Sequence, residues 1–275
     1  MDSPKKKRSA HLNRWLTALI ALPILVYIIG FGPRWLFHLL LFLAALLGHF
    51  EFYRIACPEL PWFFQGATGL LTLWLFFSLS MGQGFILPAI VLFWAAVSMA
   101  LFMFRFRSGE ARTVDLLGKA VFAPIYTCLP LALLIMVDRF PRGKLWIFFL
   151  LVIIFLGDTG AFYVGRLLGK HKLYPSVSPG KTWEGAFGGL LFSLCAGLLF
   201  SHFFRLHRWG LSMILITVCL SISSQIGDLS ESMIKRTYGV KDSGGVLPGH
   251  GGILDRIDGL LFSIPVLYIF LSWSI

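Results

Sequence analysis

Charge is scarce in this sequence. Asp, Glu, Lys and Arg make up only 13% of its 275 residues, against 57% hydrophobic residues, where soluble domains carry about a quarter charged residues. Too little polar surface remains to cover a water-soluble globule, and a mean hydropathy of +0.80 points to a chain solvated by a bilayer. Cysteine is also scarce. Cys57, Cys128, Cys195 and Cys219 are dispersed, each in or beside an apolar run, and no CxxC spacing occurs. That excludes a zinc knuckle and a disulfide framework and leaves four small packing residues. Acids are outnumbered, 13 against 24 basic residues, for a net charge of +11. Nucleic acid is excluded as the partner, because the basic residues sit at the ends of apolar runs. Pro4-Lys5-Lys6-Lys7-Arg8 therefore reads as a cytoplasmic anchor before a membrane helix.

A helix needs about 20 apolar residues to cross the hydrocarbon core. Nine runs qualify: 15–32, 35–53, 62–81, 84–104, 119–137, 145–164, 183–203, 209–228 and 258–274. The expected fold is an all-α integral membrane protein with nine crossings. Pro61, Gly66, Gly69 and Gly82 punctuate the third run. The first run lacks a small-residue cleavage site and reads as a retained anchor. With the N-terminus cytoplasmic, only Arg34, Arg139, Arg142, Lys144, Arg205 and Arg208 fall outside, which leaves 18 of the 24 basic residues inside. Excess Lys and Arg mark the cytoplasmic face, so this orientation is expected, with the C-terminus outside.

The chain shows no internal repeat and no low-complexity linker, so its two halves are expected to form one structural unit. Residues 1–150 are aromatic and leucine-rich, with short polar loops, and read as a scaffold. Within them Glu51 reads as a carboxylate snorkelling to the interface. Residues 151–275 are expected to carry the catalytic site. Asp158, Glu184, Asp228, Glu231, Asp242, Asp255 and Asp258 are seven of the thirteen acids, and in this topology all lie at or near the cytoplasmic face. Charges in or beside apolar helices are costly, so their clustering points to function.

Three groupings carry chemistry. The first is Ser232 to Asp258, with six glycines between Gly239 and Gly252. Glycine admits a phosphate close to backbone amides. Lys235, Arg236 and Lys241 add positive charge, His250 stands between glycines, and Asp255 and Asp258 share a helix face at i, i+3 spacing. Paired carboxylates beside a basic, glycine-rich loop suit a metal-bound polyphosphate. The second is Asp228, Glu231 and Ser232, on one helix face at the inner end of the eighth run. An isolated carboxylate there calls for a cation or a basic partner.

The third runs from Gly157-Asp158 to Gly185. Asp158 is expected to face the interior. Ser178-Pro179 reads as a helix N-cap with proline at the first helical position, and Lys181 beside a helix N-terminus suits an anion. Gly180-Lys181-Thr182 is not the end of a Walker A loop, because Pro175 stands where the first glycine belongs and no strand is expected before it. Gly185, Gly188 and Gly189 read as helix-packing positions.

Residues 232–258 resemble the signature of the phosphatidate cytidylyltransferases, the CDP-diacylglycerol synthases. The elements are Ser232, Lys235, Arg236, Lys241, Asp242, Pro248, His250, Gly251, Gly252, Asp255, Arg256 and Asp258. Gly227-Asp228-Leu229-x-Glu231-Ser232 and Ser178-Pro179-x-Lys181-Thr182-x-Glu184-Gly185 are also similar to family segments. The likeness is specific over 155–260; upstream, the chain resembles the family only in its hydrophobic helices.

The resemblance implies attack of a phosphatidic acid phosphate on the α-phosphorus of CTP, giving CDP-diacylglycerol and pyrophosphate. It implies Mg²⁺, and K⁺ as an associated monovalent cation, with Asp228 and Asp255 as leading metal ligands and Asp258 in support. On this reading Lys235, Arg236 and Lys241 neutralise the triphosphate and the glycine-rich loop, with Gly251 and Gly252, wraps it. Asp242 and Arg256 belong to the same substrate-binding set. Ser178, Lys181 and Asp158 complete the site toward the lipid phosphate, and Thr182 and Glu184 are expected in the substrate-binding set. The nucleophile is already anionic at neutral pH, so His250 is expected to donate a hydrogen bond or organise the loop.

A CTP-dependent lipid kinase and a polytopic transporter are the alternatives. A CDP-alcohol phosphotransferase lacks support because its Asp-Gly-x-x-Ala-Arg opening is missing. Membrane lipid is the surrounding partner, a bacterial inner membrane the expected location, and a homodimer remains open beside a monomer.

Overall fold

The computed structural model describes residues 22–103, 111–206, 210–245 and 251–274. The basic stretch Lys5–Arg8, the start of the first apolar run, Pro248 and His250 lie outside the described residues. The elements in chain order are α1 (22–30), α2 (Arg34–Ala56), α3 (Trp62–Ser80), a 3₁₀ turn (Gly84–Ile86), α4 (Leu87–Met103), α5 (Ala111–Arg139), α6 (Gly143–Leu168), β1 (Lys172–Tyr174), β2 (Ser178–Thr182), α7 (Trp183–Phe204), α8 (Leu211–Thr237) and α9 (Leu254–Ser274). Among the described residues, the eight helices from α2 to α9 are long and apolar enough to cross a membrane. The chain is an all-α integral membrane protein, with one short hairpin among the described residues.

Two sequence expectations fail at the helix ends. Ser178-Pro179 does not start a helix. Ser178–Thr182 is a strand, antiparallel to Lys172–Tyr174, with Lys172 opposite Thr182 and Tyr174 opposite Ser178. In a two-stranded hairpin Pro179 can occupy a position that needs no N–H in the ladder. The following helix starts at Trp183, and its cap is Thr182, whose hydroxyl accepts the Gly185 N–H at 3.1 Å. Strands therefore do precede α7, but as a hairpin rather than the strand of a Walker A unit. The eighth run also does not stop at Asp228. Helix α8 continues to Thr237, because the charges of its last turns find partners.

The chain divides into two compact units, Met1–Pro124 with Asp242–Arg256, and Ile125–Lys241 with Ile257–Ile275. The first unit is packed with rings. Phe64 meets Phe102 edge-on at 5.3 Å and Trp94 at 6.5 Å, and the buried Tyr53 hydroxyl donates to the Ala120 carbonyl at 2.8 Å. Thr68 and Thr72 satisfy their hydroxyls on the carbonyls of Phe64 and Thr68, one turn back. Such internal satisfaction is what hydrocarbon demands of polar groups.

In the second unit small residues set the helix spacing. Gly157 lies against Ser193, whose hydroxyl donates to the Ile153 carbonyl at 2.9 Å, and Gly188 lies against Val164. Helices α6 and α7 thus approach closely, as lipid-facing helices do where hydrophobic attraction is absent. The reading of Gly185, Gly188 and Gly189 as packing positions holds, since each faces α6. The same device joins α8 to α9. Gly227 sits against the backbone of Asp258, Gly259 against the Ser224 hydroxyl, and Ser263 donates to the Leu220 carbonyl at 3.1 Å.

Candidate active site

A cavity of about 740 Å³ opens in the second unit between α6, α7, α8 and the hairpin. Two carboxylates, Asp158 and Asp228, and two cations, Arg166 and Lys181, line it, together with Ser178, Thr182 and Gln225. Asp158 faces inward as expected, onto this cavity, along which it stays accessible. Lys181 reaches from β2 to Asp228 on α8 with an Nζ–O distance of 2.5 Å. Sequence reasoning misses Arg166 and Gln225 as lining residues. Arg166 reads only as one more cytoplasmic basic residue, and Gln225 carries no charge to single it out. Its amide donates to the Ala186 carbonyl at 3.2 Å, which ties α8 to α7 at the cavity wall.

Negative charge accumulates around Asp228. Asp158 on α6 and Asp258 on α9 are both within electrostatic reach of it. Close packing at Gly227 and Gly259 brings α8 and α9 together there. Lys181 interacts with Asp158 as well as Asp228, and Lys235 with Asp258. Among the described residues no three His, Cys, Asp or Glu side chains converge closely enough to hold a metal ion by themselves. Mg²⁺ suits such a place nonetheless, since it is ordinarily held by one or two carboxylates with substrate phosphates and water rather than by an all-protein cage.

Several expected site residues have structural partners. Lys235 is buried and paired with Glu231 one turn back, at 2.5 Å. Arg236 donates to the Val177 carbonyl at 3.3 Å and to the Val240 carbonyl at 3.2 Å, fastening the hairpin turn and the end of α8. Glu184 accepts the backbone N–H groups of Lys170 and His171 and meets His171 Nδ1 at 2.6 Å, which closes the turn after α6. Lys241 and Asp242 are exposed, as is Arg256 in the first turn of α9.

Of the signature, residues 242–256 belong to the first unit. Asp255 Oδ2 accepts the N–H of Ser243 at 2.9 Å and of Gly252 at 2.8 Å. Gly251 takes φ +79, a conformation that favours glycine. Glu51 contradicts the expectation of a snorkelling carboxylate. It is only 5% exposed and accepts the Ser243 hydroxyl at 3.0 Å, the Ile253 N–H at 3.0 Å and the Leu254 N–H at 2.8 Å. No local signal in the sequence announces this role, because its partners stand about two hundred residues away.

A polytopic helical membrane protein with a charged cavity among its helices is the class that these features define. The profile of the Cytidylyltransferase family matches residues 12–274. A phosphatidate cytidylyltransferase of Bacillus subtilis is 36% identical over 266 residues, which is 94% of this chain and 97% of that protein. One of Staphylococcus epidermidis is 52% identical over 130 residues, or 47% of this chain, and one of Staphylococcus haemolyticus is 51% identical over 131. The matched region spans about half the length of these staphylococcal relatives. The chain belongs to the cytidylyltransferase family.

Proposed function

We propose that this chain is a phosphatidate cytidylyltransferase. A phosphate oxygen of phosphatidic acid forms a bond to the α-phosphorus of CTP, and the bond from that phosphorus to the bridging oxygen breaks. The products are CDP-diacylglycerol and pyrophosphate. The observation that carries this reading is the cavity with Asp158, Asp228, Lys181 and Arg166 on its wall, in a membrane protein whose relatives bear that name.

The chemistry asks for positioning and charge neutralisation more than for proton transfer. Lys181 and Arg166 are suited to hold anionic phosphate against the helices. Asp228 and Asp258 would hold Mg²⁺, and Asp255 is proposed as a ligand from its place in the sequence motif. Bound there, Mg²⁺ would act as a Lewis acid that offsets the charge developing on the triphosphate. Lys181 then has two partners to choose between, the Asp228 carboxylate and an incoming phosphate. The nucleophile is anionic without help, so no general base is required of these residues.

The lipid substrate lies in the leaflet and CTP in the cytosol, which supports placing the cavity at the cytoplasmic face. The distribution of Lys and Arg over nine crossings supports the same orientation, and the bacterial relatives support a bacterial inner membrane. The test is incubation of the purified full chain with CTP labelled in the cytidine, phosphatidate and Mg²⁺, with and without chelator. Metal-dependent CDP-diacylglycerol with release of pyrophosphate is expected. Release of CDP with phosphorylation of a lipid alcohol would instead identify a lipid kinase, and no turnover of CTP would favour transport.

A further inference from the structure

Glu51 offers the most developed set of contacts outside the cavity. It is a carboxylate from the C-terminal part of α2, almost without exposure. Three donors converge on it, the Ser243 hydroxyl and the N–H groups of Ile253 and Leu254. The last two are orphan donors at the start of α9, so a side chain from a distant helix caps that terminus. The capped turn in turn aims Asp255. The Ser243 hydroxyl accepts the Asp255 N–H at 3.3 Å, while Asp255 Oδ2 accepts the N–H of Ser243. Arg54, one turn along α2 from Glu51, donates to the Ser243 carbonyl at 3.2 Å.

The glycines nearby fit the same arrangement. A Cβ on Gly244 would strike the Glu51 carboxylate, and one on Gly252 would strike both the Ser243 hydroxyl and that carboxylate. At these two positions the absence of a side chain makes room for Glu51. Two elements separated by about two hundred residues are thereby locked at one point, where a buried charged acceptor meets neutral donors.

We propose that Glu51 is a positioning residue for the reaction: it fixes the loop around Ser243 and the first turn of α9, and so holds Asp255 in its working geometry. The proposal rests on the functional reading above for its kinetic consequence, but its structural consequence can be read without any turnover.

Glu51→Gln keeps the shape and removes the charge and one acceptor oxygen. In the purified full chain, amide hydrogen exchange in peptides covering 243–245 and 251–255 is expected to quicken about 10-fold or more, since Ile253 and Leu254 lose a charge-assisted acceptor and the Ser243 and Asp255 contacts that it anchors loosen with them. Peptides from α6 and α7 should keep their wild-type rates. In the assay with CTP and phosphatidate, kcat is expected to fall about 10- to 100-fold, the scale of a small misplacement of an acting group. KM for phosphatidate should stay unchanged. Ser243→Ala is a milder second variant, and the double variant should lose less than the product of the two single losses, because both act through one contact.

Unchanged exchange at 243–255 in Glu51→Gln would overturn the proposal, whatever the activity. So would exchange that quickens evenly over all helices, or single effects on kcat that multiply. Local loosening with no fall in kcat would overturn the positioning role. A wild-type chain that makes no CDP-diacylglycerol would overturn the functional reading alone and leave the exchange result standing as a test of the cap.

Discussion

Lys181 on the second strand of the hairpin and Asp228 on α8 meet at 2.5 Å. Each is partly accessible, and both face the cavity. An exposed pair of this kind adds little to stability. Its value lies in being exchangeable, since an anionic substrate competes for the lysine and a cation competes for the carboxylate. Asp228→Asn is therefore expected to leave the fold intact and to lower kcat by about 100-fold or more, the scale on which charge stabilisation of a transition state is lost. Lys181→Ala is expected to raise KM for the anionic substrate. Product formation by each variant, beside its circular dichroism and size-exclusion profile, checks both. Wild-type turnover by Asp228→Asn would remove this residue from the site.

Glu231 and Lys235 form a different kind of pair. They are one turn apart on α8, at 2.5 Å, with the glutamate side chain 1% exposed and the lysine 11%. Removal of one partner strands a buried charge, which costs about 3–5 kcal/mol. Glu231→Gln and Lys235→Met are each expected to lower the unfolding temperature in detergent sharply. The double variant Glu231→Leu, Lys235→Met should recover much of the loss, because an apolar replacement of a buried pair can be neutral. A stable Lys235→Met that binds CTP poorly would instead return Lys235 to the triphosphate, as its place in the sequence motif suggests.

The helices are legible in the sequence because their signal is local. Runs of apolar residues fix an all-α membrane chain, and the bounds of 62–81 and 183–203 fall within a residue or two of the helices found. Asp158, Asp228, Lys181, Ser178 and Thr182 likewise stand out by charge or polarity against an apolar background, and they do line one cavity. The failures share a cause. Ser178-Pro179 has the local chemistry of a cap, yet pairing with Lys172–Tyr174 decides its conformation. Asp228 has the look of a helix end, yet α8 runs on to Thr237, with Lys181 of the hairpin beside that carboxylate. Glu51 has the look of a surface acid, yet its partners come from residues 243–254. Nothing within a window of helical period reports such distant partners.

Thr182 tests the revised start of α7. Its hydroxyl accepts the Gly185 N–H at 3.1 Å, so Thr182→Ala is expected to cost about 1 kcal/mol through loss of the cap. Thr182→Ser should restore most of that. Hydrogen exchange at the first turn of α7 is the direct measurement, and it should quicken in the alanine variant before any change in global unfolding. Ser178→Ala should leave this turn untouched. An effect of Ser178→Ala on the first turn of α7 equal to that of Thr182→Ala would reinstate the cap at Ser178.

The α6–α7 seam gives the last prediction. A Cβ on Gly188 would fall on the side chain of Val164, which is branched at Cβ and has no far end to swing away. Gly188→Ala is therefore expected to destabilise by about 1–3 kcal/mol as an overpacked contact. Alanine at position 164 would keep the Cβ that lies nearest position 188, whereas Val164→Gly clears the whole side chain, so in the double variant with Val164→Gly the methyl added at position 188 finds room. The coupling between the two positions should be stabilising, with the double variant more stable than the sum of the single changes. Unfolding of the purified chain in detergent, followed by helical signal against denaturant, measures it. The cavity wall depends on this seam, since Ala161, Gly185 and Ala186 line it from α6 and α7. A seam forced apart should also weaken substrate binding, so Gly188→Ala should raise KM in step with its loss of stability, and adding Val164→Gly should relieve the rise in KM.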